Sequence, residues 1–87
     1  MNVAENVPAW VYILWSPSLK RHYIGSSSSP DLRLDQHRHS QHGWTSRTHD
    51  WERVWQAETA DVGDARRLER VIKRRGARRY LTDTGVL

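Results

Sequence analysis

Cysteine is absent from this 87-residue chain. That excludes disulfide staples and thiolate metal sites, and it leaves the redox compartment unsignalled. No apolar run approaches the ~20 residues of a membrane-spanning helix. The opening MNVAENVPAW has no basic segment followed by an apolar one, so no secretory signal is expected and the cytoplasm is the expected location. Acid is scarce in one place. Positions 66 to 79 carry eight arginines and lysines but one carboxylate, Glu69. No repeat and no shift in composition divides the chain, so residues 1–87 read as one domain.

What is present is aromatic and basic. With 37% apolar residues and five tryptophans, the core must lean on indole rings, each able to bury on the order of 200 Å². The formal net charge of +4 and a pI near 10.1 suit a polyanionic partner. Solvated helix faces usually mix charge signs. The 66–79 stretch does not, and we read it as a phosphate-contacting face.

Residues 10–15, WVYILW, are β-branched and aromatic and predict a strand buried on both faces. Ser16-Pro17-Ser18 forms a turn, and residues 21–25 predict a second strand paired antiparallel to the first. The serine run 26–29 reads as a flexible loop in its middle and as a helix start at its end. Ser29 supplies an N-cap hydroxyl, Pro30 the first helical position and Asp31 a first-turn acid. That helix runs to about residue 40, and the poor phasing of Leu32 with Leu34 predicts a grip from more than one side. Residues 43–50 read as a polar loop, with Trp44 either covering the core or stacking on a base. A third strand follows at 51–58, with Trp51, Trp55 and Ala57 on one face and Val54 on the other. A second helix opens at Gly63-Asp64, with Ala65, Leu68, Val71 and Ile72 as its apolar stripe. Gly76 caps it, and residues 77–81 form a short last helix. The order β-β-α-β-α-α predicts an α+β fold, a small three-stranded antiparallel sheet flanked by helices.

Tyr12 and Tyr23 fall in the two strands of the hairpin. Arg33 and His37, spaced i, i+4, share one face of the first helix. Glu69 adjoins the apolar stripe of the second helix. Each residue alone has a plain structural explanation: core packing for the tyrosines, a surface position for Arg33, and a helical ion pair with Arg66 or Lys73 for Glu69.

Together these residues carry a resemblance. Tyr12 within WVYIL, Tyr23-Ile24-Gly25, Arg33 within DLRLDQH and Glu69 within DARRLERVIKRR look like the GIY-YIG endonuclease superfamily over residues 10–81. The nearest likeness is to its small stand-alone, excinuclease-like members. The chain departs from the pattern in three places: Trp10 stands where the first motif begins with glycine, Ser26 follows Gly25 where lysine is frequent, and no asparagine occurs after Asn6.

The resemblance implies a DNA endonuclease dependent on a single Mg²⁺ or Mn²⁺, leaving a 5′-phosphate and a 3′-hydroxyl. Tyr12 or Tyr23, with Tyr12 favoured, would be the general base. A phenol of pKa near 10 manages that only if positive charge lowers its pKa. Arg33 would meet the charge growing on the phosphorane, His37 would bond or relay protons with the tyrosine, and Glu69 would hold the metal. Gly25 has a structural place in the motif. Arg66, Arg70, Lys73 and Arg47 are the candidates for phosphate contact, giving an affinity that falls with salt. A catalytically inactive nucleic-acid-binding module of the same fold is the alternative. A zinc site built on His37, His39 and His42 is a third reading, supported by no paired ligand spacing. On a helical wheel His39 lies about 160° from Arg33 and His37 about 40°. His37 is therefore the histidine assigned to the site. DNA specificity is expected to come from the chain's own surface, from a homodimer or from a partner protein, or to be low. Repair, recombination, restriction and mobile-element roles are all open.

Overall fold

The computed structural model describes residues 7–39 and 43–87. Strand β1, Ala9–Ser16, is the centre of a three-stranded sheet of order β2-β1-β3, between β2, Arg21–Ser27, and β3, Glu52–Thr59. Both pairings are antiparallel. Helix α1, Pro30–His39, follows β2. Helices α2, Val62–Arg75, and α3, Ala77–Asp83, follow β3. The expected α+β order and antiparallel sheet are present. No helix among the described residues is long and apolar enough to cross a membrane.

Period-two alternation along β1 splits the core in two. Ala9, Val11 and Ile13 face α2 and α3, where Ala65, Ile72, Ala77 and Leu81 close over them. Tyr12 and Leu14 face the other way and pack with Trp51, Tyr23, Leu19 and Leu34. The second cluster holds the chemistry, because it is built from aromatic rings with polar ends.

The strand facing of 51–58 needs correction. Ile13 pairs with Trp55 but Leu14 pairs with Arg53, so Val54 is an extra residue, a β-bulge. The bulge reverses the alternation. Trp51 joins Tyr12 and Leu14, while Val54 and Trp55 both pack on the α2/α3 side.

Three smaller expectations are also revised. Ser26 and Ser27 are not loop: they extend β2 and pair with Val11 and Trp10. Residues 44–47 of the expected loop form one turn of 3₁₀ helix. Val71 is 55% exposed and leaves the stripe to Ala65, Leu68 and Ile72, since it points about 100° away from Ile72 around the helix. The second grip on α1 is polar rather than apolar. Leu32 is exposed, whereas Arg38 donates to the Trp51 carbonyl at 2.9 Å and Arg53 to Asp31 at 2.6 Å. The expected ends of α1 near residue 40, His42 and the Trp44 side chain lie outside the described residues.

Three devices set the ends of these elements. Asp61 caps α2, its carboxylate accepting from the Asp64 N–H at 2.8 Å. Gly76 ends it at φ 94°, a left-handed conformation that favours glycine, and turns the chain into α3. The β1–β2 turn is tied to the approach of β3 by Asp50, which accepts from Ser16 Oγ at 2.6 Å, Thr48 Oγ1 at 2.8 Å and the Ser18 N–H at 2.9 Å. Those donors hold its carboxyl far below the usual carboxylate range.

The division of α2 into faces gives a direct test by urea denaturation. Ile72→Ala, at a fully buried position, is expected to cost about 2–5 kcal/mol. Val71→Ala is expected to change stability by less than about 0.5 kcal/mol.

Candidate active site

Tyr12 lies directly across the ladder from Gly25. A Cβ on Gly25 would sit 2.6 Å from the Tyr12 hydroxyl and 2.7 Å from Cζ. The missing side chain therefore lets the phenol lie across β2, the edge strand. There its oxygen meets His37 Nε2 at 3.0 Å. The other imidazole nitrogen, Nδ1, is bonded to Thr45 Oγ1 at 3.1 Å. The Thr45 carbonyl in turn accepts from Trp51 Nε1 at 2.9 Å. Tyr23, two residues before Gly25 and so on the same face, packs its ring 4.7 Å from His37 and 6.4 Å from Tyr12. Tyr12, His37, Thr45 and Trp51 are all buried, His37 to 5% exposure.

Arg33 lies one helical turn before His37 on the same face of α1; its exposed guanidinium donates to Gln36 Oε1 at 2.8 Å and is in hydrogen-bonding contact with the Tyr12 hydroxyl. On the far side of the edge strand Glu69 comes up from α2. Its Oε1 accepts from Ser26 Oγ at 2.7 Å and its Oε2 from Lys73 Nζ at 2.7 Å. Gly25 and Ser26 are consecutive, so the phenol and the carboxylate approach adjacent residues of one strand from opposite faces of the sheet.

The charges interact. Burial pushes the Tyr12 phenol above its ordinary value of 10.0; Tyr23 and Glu69 push the same way, and the Arg33 guanidinium pulls against them. Burial first, then the charge of Arg33, holds His37 below its ordinary 6.5. His37 is thus neutral at pH 7, next to a phenol that keeps its proton. The sequence-based expectation that positive charge lowers the tyrosine is half met: Arg33 supplies the pull, but desolvation outweighs it.

Residues 8–80 match the family described as the GIY-YIG catalytic domain. The chain belongs to the GIY-YIG family. No curated protein and no solved structure matches it at a significant level. GIY-YIG domains are nuclease domains, so DNA is the substrate class that membership indicates, and divalent metals are typical of the family.

Tyr12, Tyr23, Arg33 and His37 of this GIY-YIG chain thus gather over Gly25 on one face of the sheet, and Glu69 meets the next residue, Ser26, from the other. The phosphate-contact candidates are spread more widely. Lys73 is bonded to Glu69, Arg66 and Arg70 are exposed along α2, and Arg47 is exposed on the 3₁₀ turn beyond α1. His39 is exposed and bonded to the Asp35 carbonyl at 2.8 Å, apart from His37, whose two nitrogens are engaged in the core.

Ser26 and Thr45 are the contributors that sequence reasoning missed. Ser26 was visible as a departure from the family pattern, but its bond to a carboxylate 43 residues away was not. Nothing in the sequence marks Thr45 as the partner of His37. Glu69 offers hard oxygen donors on a side chain 20% exposed. Among the described residues no cluster of three or more His, Cys, Asp or Glu surrounds it. That donor chemistry fits a Mg²⁺ that keeps most of its waters, not a fully caged ion.

Gly25→Ala isolates the close approach. The added methyl has to displace the Tyr12 ring, and we expect a loss of about 1–3 kcal/mol by urea denaturation. The tyrosine absorbance and the His37 imidazole shifts should change together. An alanine variant as stable as the wild type would show that the phenol does not rest on Gly25.

Proposed function

We propose that this GIY-YIG domain is a divalent-metal-dependent endonuclease that hydrolyses DNA phosphodiester bonds. The observation that carries the reading is the bond from Tyr12 to a neutral, buried His37 beside Arg33, with the Glu69 carboxylate at the next residue along the edge strand.

Water attack on a phosphodiester requires removal of a proton, stabilisation of the charge on the phosphorane and help for the departing oxygen. His37 with its proton on Nδ1 donates to Thr45 Oγ1, and its Nε2 accepts from the Tyr12 hydroxyl. As Tyr12 takes a proton from the attacking water, it can pass its own to Nε2, so no free phenolate need form in advance. This favours Tyr12 over Tyr23 as the base, with Tyr23 holding the imidazole plane by ring contact. Arg33, exposed beside this pair, presents a guanidinium to the nonbridging oxygens. Glu69 would hold Mg²⁺ or Mn²⁺, which supplies charge neutralisation at the phosphate when bound. Lys73 shares that carboxylate, and with a cation held at Glu69 its ammonium would be free to meet a substrate phosphate. Arg66, Arg70 and Arg47 extend the basic surface along the flanking backbone. A homodimer or a partner protein would supply targeting.

Two observations favour the alternative, a binding module without catalysis: the upward shift of Tyr12 and the ion pair that already satisfies Glu69. A panel of duplex, flap, junction and single-stranded DNAs with Mg²⁺ or Mn²⁺ separates them. The nuclease reading expects metal-dependent cleavage that falls at least about a hundredfold in Glu69→Ala and in Arg33→Ala, each with an unchanged circular dichroism spectrum. DNA binding undiminished by Glu69→Ala, with no cleavage of any substrate, would establish the alternative.

A further inference from the structure

Away from Tyr12, on the α2/α3 side of the sheet, a hollow of about 330 Å³ is lined by Trp15, His22, Val54, Arg78, Leu81 and Leu87. Its volume is at the lower end of the ~300–1,000 Å³ of ligand pockets. Trp15 and His22 face each other across the β1–β2 ladder, with ring centroids 4.7 Å apart, and form an aromatic wall. Val54 and Leu81 add an aliphatic floor, and Arg78 places an exposed guanidinium at the rim. Burial and the charge of Arg78 keep His22 below its ordinary 6.5, so its ring offers a neutral face.

A second hollow, of about 280 Å³, is lined by His22, Tyr23, Ile24 and Lys73. His22 belongs to both. Tyr23 belongs to the site around His37, and Lys73 bonds the carboxylate of Glu69. The two hollows share His22 and lie side by side around the edge of β2, one reaching Lys73, the partner of Glu69, and the other the wall of Trp15 and His22, with a cation beside each.

A ligand matching this pair of hollows has flat apolar faces joined by anionic links. That is a description of single-stranded nucleic acid. In a duplex the base faces are covered by their neighbours, and only an unstacked base can lie on an aromatic wall. We propose that the Trp15–His22–Arg78 hollow is a subsite for an unstacked base of the DNA strand that passes Glu69, with Arg78 and Lys73 on its phosphates. The inference rests on the nuclease reading above for the identity of the strand. It adds a preference for DNA with a single-stranded extension.

The test measures binding separately from cleavage. Fluorescence anisotropy in EDTA compares a labelled blunt duplex with the same duplex carrying a single-stranded extension on one strand or the other. The extension is expected to tighten binding by about tenfold. His22→Ala and Arg78→Gln should each bring the tailed DNA back towards the blunt one. Trp15→Phe, which keeps an aromatic ring in the fold, should remove the part of the indole quenching that follows the extension. Equal affinity of the wild type for blunt and tailed DNA overturns the subsite and leaves the apolar wall to a protein partner. A fall by the same factor on both DNAs in Arg78→Gln also overturns it, because that is the signature of lost net charge alone. The same DNAs are then incubated with Mg²⁺. A preference for the extension without cleavage sustains the subsite and removes the nuclease reading, whereas cleavage without the preference does the reverse.

Discussion

The passage of the Tyr12 phenol over Gly25 is the contact on which the site is built. One missing side chain on the edge strand gives the ring a place to lie, and that place sets the position of its oxygen. The oxygen meets His37, which fixes the face that α1 turns towards the sheet. His37 in turn holds Thr45, and Thr45 receives the indole N–H of Trp51, the largest fully buried side chain among the described residues. The chain of bonds thus runs from edge strand to helix, to the 3₁₀ turn, and to the start of β3. A polar network so buried stabilises only if every member is satisfied. That condition holds here: among the described residues no buried side-chain nitrogen or oxygen lacks a partner.

The burial that orders these groups also sets their protonation. Desolvation holds the proton on Tyr12 and keeps it off His37, which leaves an acceptor beside a donor at neutral pH. Arg33 stays in solvent, one turn away, where it can reach a phosphate without carrying the cost of a buried charge. Glu69 is in an intermediate position. It is paired with Lys73 and Ser26 on the rim, and its negative charge raises the Tyr12 phenol across the strand. A cation bound at Glu69 would offset that push, so the proposed metal site and the proposed base are coupled through Coulomb interaction as well as through a shared substrate.

Much of this was legible in the sequence because it rests on local patterns. The β-branched and aromatic run around Tyr12 marks the central strand. Gly76 marks the end of α2, although its start, expected at Gly63-Asp64, is set by the cap Asp61, and the i, i+4 spacing of Arg33 and His37 places them on one helix face. What escaped is nonlocal. The bulge at Val54 leaves no mark in the alternation of residues 51–58, and it shows only in the register against Ile13 and Leu14. Four serines in a row read as loop, yet Ser26 and Ser27 are held in β2 by pairing with β1. Thr45 is one hydroxyl among several in a polar segment, and only the fold brings it to an imidazole eight residues earlier. The desolvation that outweighs Arg33 at Tyr12 is likewise a property of packing, which the list of neighbouring charges does not contain.

The central claim is that the Tyr12 hydroxyl carries the proton taken from water, and one atom tests it. Tyr12→Phe removes that oxygen and keeps the ring over Gly25. Single-turnover cleavage by this variant, with Mg²⁺ and the best substrate of the wild type, should fall by at least about a hundredfold, while DNA affinity and the cooperative unfolding transition are retained. Cleavage at the wild-type rate would contradict the account and pass the role of base to another group.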